Sequence, residues 1–218
     1  MTFRRLTIAA AVLLCALTPS AWAADGPQPE IDRLAGAWAH VTYEARDRRS
    51  QAAEAERLAA EAERLGRAHP ERAEPRAWQA LLLLTEADAL HNMHALKLAH
   101  TARELLESVL KVDPAALGPG FIDAQLGALY DQVPKFPLGF GDAKRARRHF
   151  ERALAAAPQA LDVNFFYGEH LARRHDYAGA RAALRRALQA PTRPGRELAD
   201  RGRRGEAERL LKEIEGRK

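Results

Sequence analysis

The sequence predicts an all-α fold of stacked helix-turn-helix pairs, and three observations predict it. One apolar stripe recurs along the chain and stops each time at or near a proline. Each stripe is preceded by a second stretch with helical apolar spacing. Strand signals are missing, because β-branched residues are scarce while alanine and leucine dominate.

Residues 1–23 read as a targeting segment rather than as part of the fold. Arg4 and Arg5 give a positive start, residues 8–17 form an unbroken apolar run, and Pro19 breaks it. Ala21-Trp22-Ala23 then supplies the small-x-small pattern of a signal-peptidase site. A bilayer span needs ~20 apolar residues, so an uncleaved anchor is the weaker reading. Cleavage after Ala23 is expected, which places residues 24–218 in the periplasm as a single domain without a stable membrane span. The single cysteine, Cys15, lies inside the apolar run and lacks the triplet that lipid attachment wants. The mature chain therefore has no disulfide, no thiol nucleophile and no cysteine-ligated metal.

The first pair is expected at about 29–69. Ile31, Leu34, Trp38 and Val41 mark its first helix, and the stripe Ala55, Leu58, Ala62 and Leu65 marks its second, before Pro70. The second pair, about 75–113, has Trp78, Leu81, Leu82 and residues 84–90. Its stripe is Ala99, Ala102, Leu106 and Val109, before Pro114. The third pair, about 120–157, has Phe121, Ile122, Leu126 and Leu129, then Ala143, Ala146, Phe150 and Ala153 before Pro158. The fourth, about 161–190, has Phe165, Phe166, Tyr167 and Leu171, then Tyr177, Ala180, Leu184 and Ala187 before Pro191. A last helix, about 197–215, caps the stack. Spacings of three and four put each stripe on one helix face, and that face must be buried by a neighbour. Proline ends each one, having no N–H to donate and a ring that disfavours helix before it.

Residues 161–194 resemble a tetratricopeptide repeat. Tyr167, Gly168, Leu171, Tyr177, Ala180, Leu184 and Ala187 follow that family's alternation of small and large residues, while Asn164 and Thr192 depart from it. The resemblance implies a right-handed superhelix whose first helices line a concave groove. It turns Asp162, Phe165, Glu169 and Ala172 of the fourth unit, and Phe121, Ala124, Ala128 and Asp131 of the third, toward that groove. Carboxylates and aromatics there would suit a basic or amphipathic ligand.

Three further places are candidates for binding. The stretch 133–141 is excess over the repeat and rich in proline and glycine, so Phe136 and Phe140 either anchor a partner or fold back between helix pairs. Asp142 after it reads as a helix N-cap. Tyr167 joins Asp162, Phe165 and Glu169 in the second unusual stretch, where Asn164 reads as buried and hydrogen-bonded. Arg193 and Arg196, in the turn before the last helix, either clamp a carboxylate or serve the turn alone.

Charge and motifs narrow the function classes. The mature chain carries 32 Lys+Arg against 29 Asp+Glu, and residues 170–218 alone carry a net +7. A basic end of this kind faces an acidic partner, lipid headgroups or simply water. No aromatic interleaves those arginines after Tyr177, so nucleic acid is not an expected partner. His91 and His94 with Asp88 have metal-ligand spacing but no evident fourth ligand, so no metal and no cofactor is expected. Ser50 and Ser108, the mature serines, lie in no hydrolase motif, and no His-Glu-x-x-His or phosphate loop is present. Glu107-Ser108 is similar to the catalytic pair of lytic transglycosylases, yet it sits between stripe residues Leu106 and Val109. The chain reads as non-catalytic.

The loop V-P-x-x-P-x-x-F-G-D (133–142), the helix D-x-N-x-x-Y-G-E (162–169) and the turn A-P-x-R-P-G-R (190–196) together resemble one exported family. It is the T-component (TatT) family linked to tripartite ATP-independent periplasmic (TRAP) transporters, and the likeness is best over about 111–200. It implies an all-α protein that associates with a periplasmic solute-binding protein and encloses a cleft or pore. The functional expectation is a binding or scaffold protein that passes an apolar or amphipathic solute to a transporter partner. The alternative is an envelope assembly adaptor that takes peptides or proteins in its concave face.

Overall fold

The computed structural model describes residues 26–90 and 92–217. The targeting segment and His91 lie outside the described residues. Nine α-helices follow in order among them: α1 (Gln28–Tyr43), α2 (Arg48–Ala68), α3 (Glu74–Leu90), α4 (Met93–Val112), α5 (Phe121–Gln132), α6 (Ala143–Ala156), α7 (Leu161–Arg173), α8 (Tyr177–Gln189) and α9 (Glu197–Glu213). No strand occurs among the described residues; Lys135 and Gly141 form one isolated bridge in the α5–α6 loop. The fold is all-α.

Proline sets the end of every second helix by the same local chemistry. His69, Asp113, Ala157 and Ala190 are the C-caps of α2, α4, α6 and α8, and each immediately precedes a proline. The clash of a proline ring with the preceding residue excludes the helical region. All four residues have left it, with ψ between 69° and 142°. The helix starts are capped where the side chain allows. Asp47 bonds the backbone of Ser50, Asn92 that of His94 and Ala95, Asp142 that of Lys144 and Arg145, and Asp176 that of Gly179.

The stripes face inward. Ala55, Leu58 and Ala62, then Ala102, Leu106 and Val109, then Ala146, Phe150 and Ala153, then Ala180, Leu184 and Ala187 are all buried. Alanine on these faces lets helix axes come close, and glycine goes further at two crossings. A Cβ on Gly168 would lie 2.8 Å from Leu184, and one on Gly127 would lie 3.0 Å from the Phe150 ring. The α7–α8 and α5–α6 pairs meet through those two positions.

Buried side chains form two clusters, one drawn mainly from α1–α5 and one mainly from α5–α9. Helix α5 is the wall between them: Phe121, Ile122, Leu126 and Tyr130 face the first, and Ala124 and Ala128 the second. That double duty explains why all ten residues from Phe121 to Tyr130 are buried.

Helix α9 does more than cover the last pair. It packs on α7 and α8 and also reaches α1 at the opposite end of the array. Its Ala199 joins the first cluster and its Ala207 the second. Gly202 permits the approach, because a Cβ there would fall 2.4 Å from the Tyr43 ring. The inner helices α1, α3, α4, α5, α7 and α9 thus touch in a closed circuit.

Candidate functional site: a cavity inside the helical circuit

A cavity of about 850 Å³ lies within this circuit. The first helix of each pair supplies one face of its wall. Helix α3 contributes Leu81, Leu84, Thr85 and Asp88, and α5 contributes Gln125, Ala128, Leu129 and Gln132. The two sets are offset by the same 44 residues that relate the apolar stripes. Trp38 and Thr42 come from α1, Phe165, Phe166 and Glu169 from α7, and Arg203 and Glu206 from α9. Met93, 81% exposed, and Leu138, 73% exposed, line it from its mouth.

The wall is apolar over most of its area, with one charged end. There the Arg203 guanidinium lies 4.6 and 4.5 Å above the Phe165 and Phe166 rings. Its Nε donates to Asp162 Oδ1 at 3.1 Å, and its Nη1 to Glu206 Oε2 at 2.7 Å. Behind it, Arg193 Nη2 reaches Asp162 Oδ2 at 2.8 Å and Asp200 Oδ1 at 2.5 Å. Burial opposes ionisation of Asp162, but Arg203 and Arg193 together hold its carboxyl below the ordinary range. Glu169 goes the other way. Burial raises its pKa, and Arg173 and Arg203 only partly offset that. Burial likewise raises the Tyr43 phenol, whose hydroxyl points to Glu206 at 3.5 Å.

The residues singled out from sequence are divided by the structure. Phe165 and Glu169 line the cavity, and Asp162 lies just behind its charged end, pairing with arginines rather than capping α7. Arg193 does clamp carboxylates, and they are the chain's own Asp162 and Asp200. Phe121 is buried in the first cluster. Tyr167 packs on Phe150 and His170, and Asp131 pairs with His170 and Arg174, outside the lining. Arg196 lies 5.1 Å over the Trp78 ring in a separate cleft of about 450 Å³.

The two loop aromatics part company. Phe136 is 88% exposed, whereas Phe140 folds back between His100 and Tyr130 under the Arg103 guanidinium. Asn164 is buried, its amide donating to Pro158 and Ala160 carbonyls while its oxygen accepts from Arg186.

Glu107 and Ser108 lie away from the cavity, and of the histidine motif Asp88 lines it. Glu107 accepts from the Tyr130 hydroxyl at 2.5 Å, and Ser108 donates to the Leu105 carbonyl. His94 stands 3.9 Å from Glu86, and no group of three or more metal-ligating side chains occurs among the described residues.

Sequence reasoning missed Arg203, Glu206, Trp38, Phe166 and Gln125. The 44-residue offset carried from α3 would have found the α5 face; for Arg203 there was no signal, since it is one of fourteen basic residues after position 170.

No helix among the described residues is long and apolar enough to cross a membrane. No curated protein matches the chain. The family model for the TRAP transporter T-component matches residues 75–216, from α3 through α9, leaving the first helical pair outside the match. Since that match covers well over half of the sequence, the chain belongs to the TRAP transporter T-component family.

Proposed function

We propose that the chain is a non-catalytic, periplasmic accessory of a TRAP-type transporter whose cavity holds an apolar or amphipathic solute for a partner protein. The observation that carries this reading is the cavity of about 850 Å³ itself, walled by five helices of the family-matched region together with α1 and Gln51 of α2. Pockets of this size and apolar character suit small ligands, with a few polar groups setting orientation. The closure of α9 onto α1 supports a chamber for a solute over an open groove for an extended peptide, which is the assembly-adaptor alternative. The tetratricopeptide-like superhelix belongs to the same reading, supported by Gly168 at the α7–α8 crossing.

The export reading places the protein with periplasmic solute-binding proteins, and exposed Phe136 offers a partner an aromatic anchor beside the cavity mouth. The test is co-purification of the mature chain from periplasmic extract at low salt, followed by mass spectrometry of proteins and extracted small molecules. A solute-binding protein together with a retained solute is the expected result. A set of envelope proteins with no solute would replace this reading with the adaptor.

A further inference from the structure

The charged end of the cavity also says which head group a solute carries. Resting on the solute-binding reading above, we propose that the cavity selects an amphipathic amine, its apolar body against Trp38, Leu81 and Phe165 and its ammonium beside Glu169 and Glu206.

Four charged side chains line the cavity among the described residues: Asp88, Glu169, Glu206 and Arg203. The cation is already committed. Arg203 bonds Asp162 and Glu206, and its faces are covered by Phe165 and Phe166. A carboxylate solute entering here would find no uncommitted cation on the wall and would meet Glu206 and Glu169 instead. Like charges brought together in a dry site repel strongly.

A neutral solute fares little better, because it would shut Glu169 away from water with weak compensation. The ion pair of Glu169 is with Arg173, at 3.6 Å, and Arg173 is itself half exposed and absent from the lining. An ammonium supplies the missing charge and three donors. The acceptors for those donors line the same wall: the two carboxylates, the Gln125 side chain, and the Thr42 and Thr85 hydroxyls, which lie 3.4 Å apart. The preference is local, since the mature chain, with 32 Lys+Arg against 29 Asp+Glu, is net basic and repels cations at long range.

Three ten-carbon probes separate the cases: decylamine, decanol and decanoate, titrated below micelle formation and followed by calorimetry and by the fluorescence of Trp38 in the wall. At pH 7 the amine is charged. It should bind roughly tenfold or more tighter than decanoate, which corresponds to one charge-assisted contact. Glu169→Gln should bring the amine's affinity down toward that of decanol. Decanoate binding as tightly as the amine on the unaltered chain overturns the proposal, as does a full amine preference in Glu169→Gln. If decanol and decanoate bind and the amine has no lead, the head-group inference fails while the cavity reading stands. If none of the three binds, the cavity reading fails with it.

Discussion

Replacing Arg203 by methionine tests whether the ion network fastens α9 to α7. Methionine replaces the aliphatic stem of the side chain with one of similar length and removes the guanidinium. Arg203 and Asp162 are both nearly inaccessible, at 8% and 6% side-chain exposure, so the stranded Asp162 cannot be rescued by water. Breaking a buried pair by removing one partner costs about 3–5 kcal/mol. Arg193 still reaches Asp162 at 2.8 Å, so the lower end, about 3 kcal/mol, applies. For a domain of this size that is a fall of about 6–12 °C in Tm.

The assay is urea and thermal unfolding of Arg203→Met beside the double variant Arg203→Met/Asp162→Leu. The double variant removes the stranded carboxylate, and Arg193 keeps Asp200 as partner. It should regain at least half of the loss. A single variant that loses less than about 1 kcal/mol, or a double variant no better than the single, refutes the reasoning.

Three further outcomes follow from other contacts. Gly168→Ala should destabilise by about 1–3 kcal/mol despite alanine's better helix propensity, because its Cβ would press on Leu184; a rise in the urea midpoint would contradict the packing described. Asp123, held down by His149 and Arg152 against burial, and Asp162 both have folded-state pKa values below their unfolded ones. Their contribution is therefore complete above about pH 4 and lost as pH falls through the folded values. Urea midpoints should drop as pH falls from about 4 to 3, less steeply in Asp162→Asn, and an unchanged slope in that variant would remove Asp162 from the account. Phe136→Ser should leave the midpoint within about 0.5 kcal/mol of the parent, because the ring is exposed, while weakening retention of a protein partner in the co-purification experiment.

What was legible in the sequence was what repeats locally. Ala102, Leu106 and Val109, or Ala180, Leu184 and Ala187, announce a buried helix face by spacing alone, and Pro114 and Pro191 announce its end. Gly168 could be read as a close crossing because it stands just under one turn before Leu171 in a recognisable repeat. The groove face of α5 was read rotated. Phe121, Ala124, Ala128 and Asp131 were expected to face it, whereas Gln125, Ala128, Leu129 and Gln132 do. Counting standard repeat positions gives the wrong phase for α5, and the internal offset from Leu81 and Leu84 gives the right one.

Closure was not legible. Whether α9 meets α1 depends on curvature accumulated over four pairs, and no single residue records it. Arg203 finds Asp162, Phe165 and Phe166 about forty positions earlier because α9 folds back along α7. In sequence it is one arginine in a basic tail.

Filling the cavity tests the central claim most directly. Ala128 lines it from α5 and is almost fully buried, so Ala128→Phe directs a benzyl group into the space where a solute would lie. The parent and this variant, purified from the periplasm without denaturation and shown to share one helical content, would be compared by native mass spectrometry and by analysis of extracted small molecules. The account predicts a solute retained by the parent and absent from the variant. The same solute in equal amount on both proteins would contradict it, because whatever was bound would not be bound in the cavity.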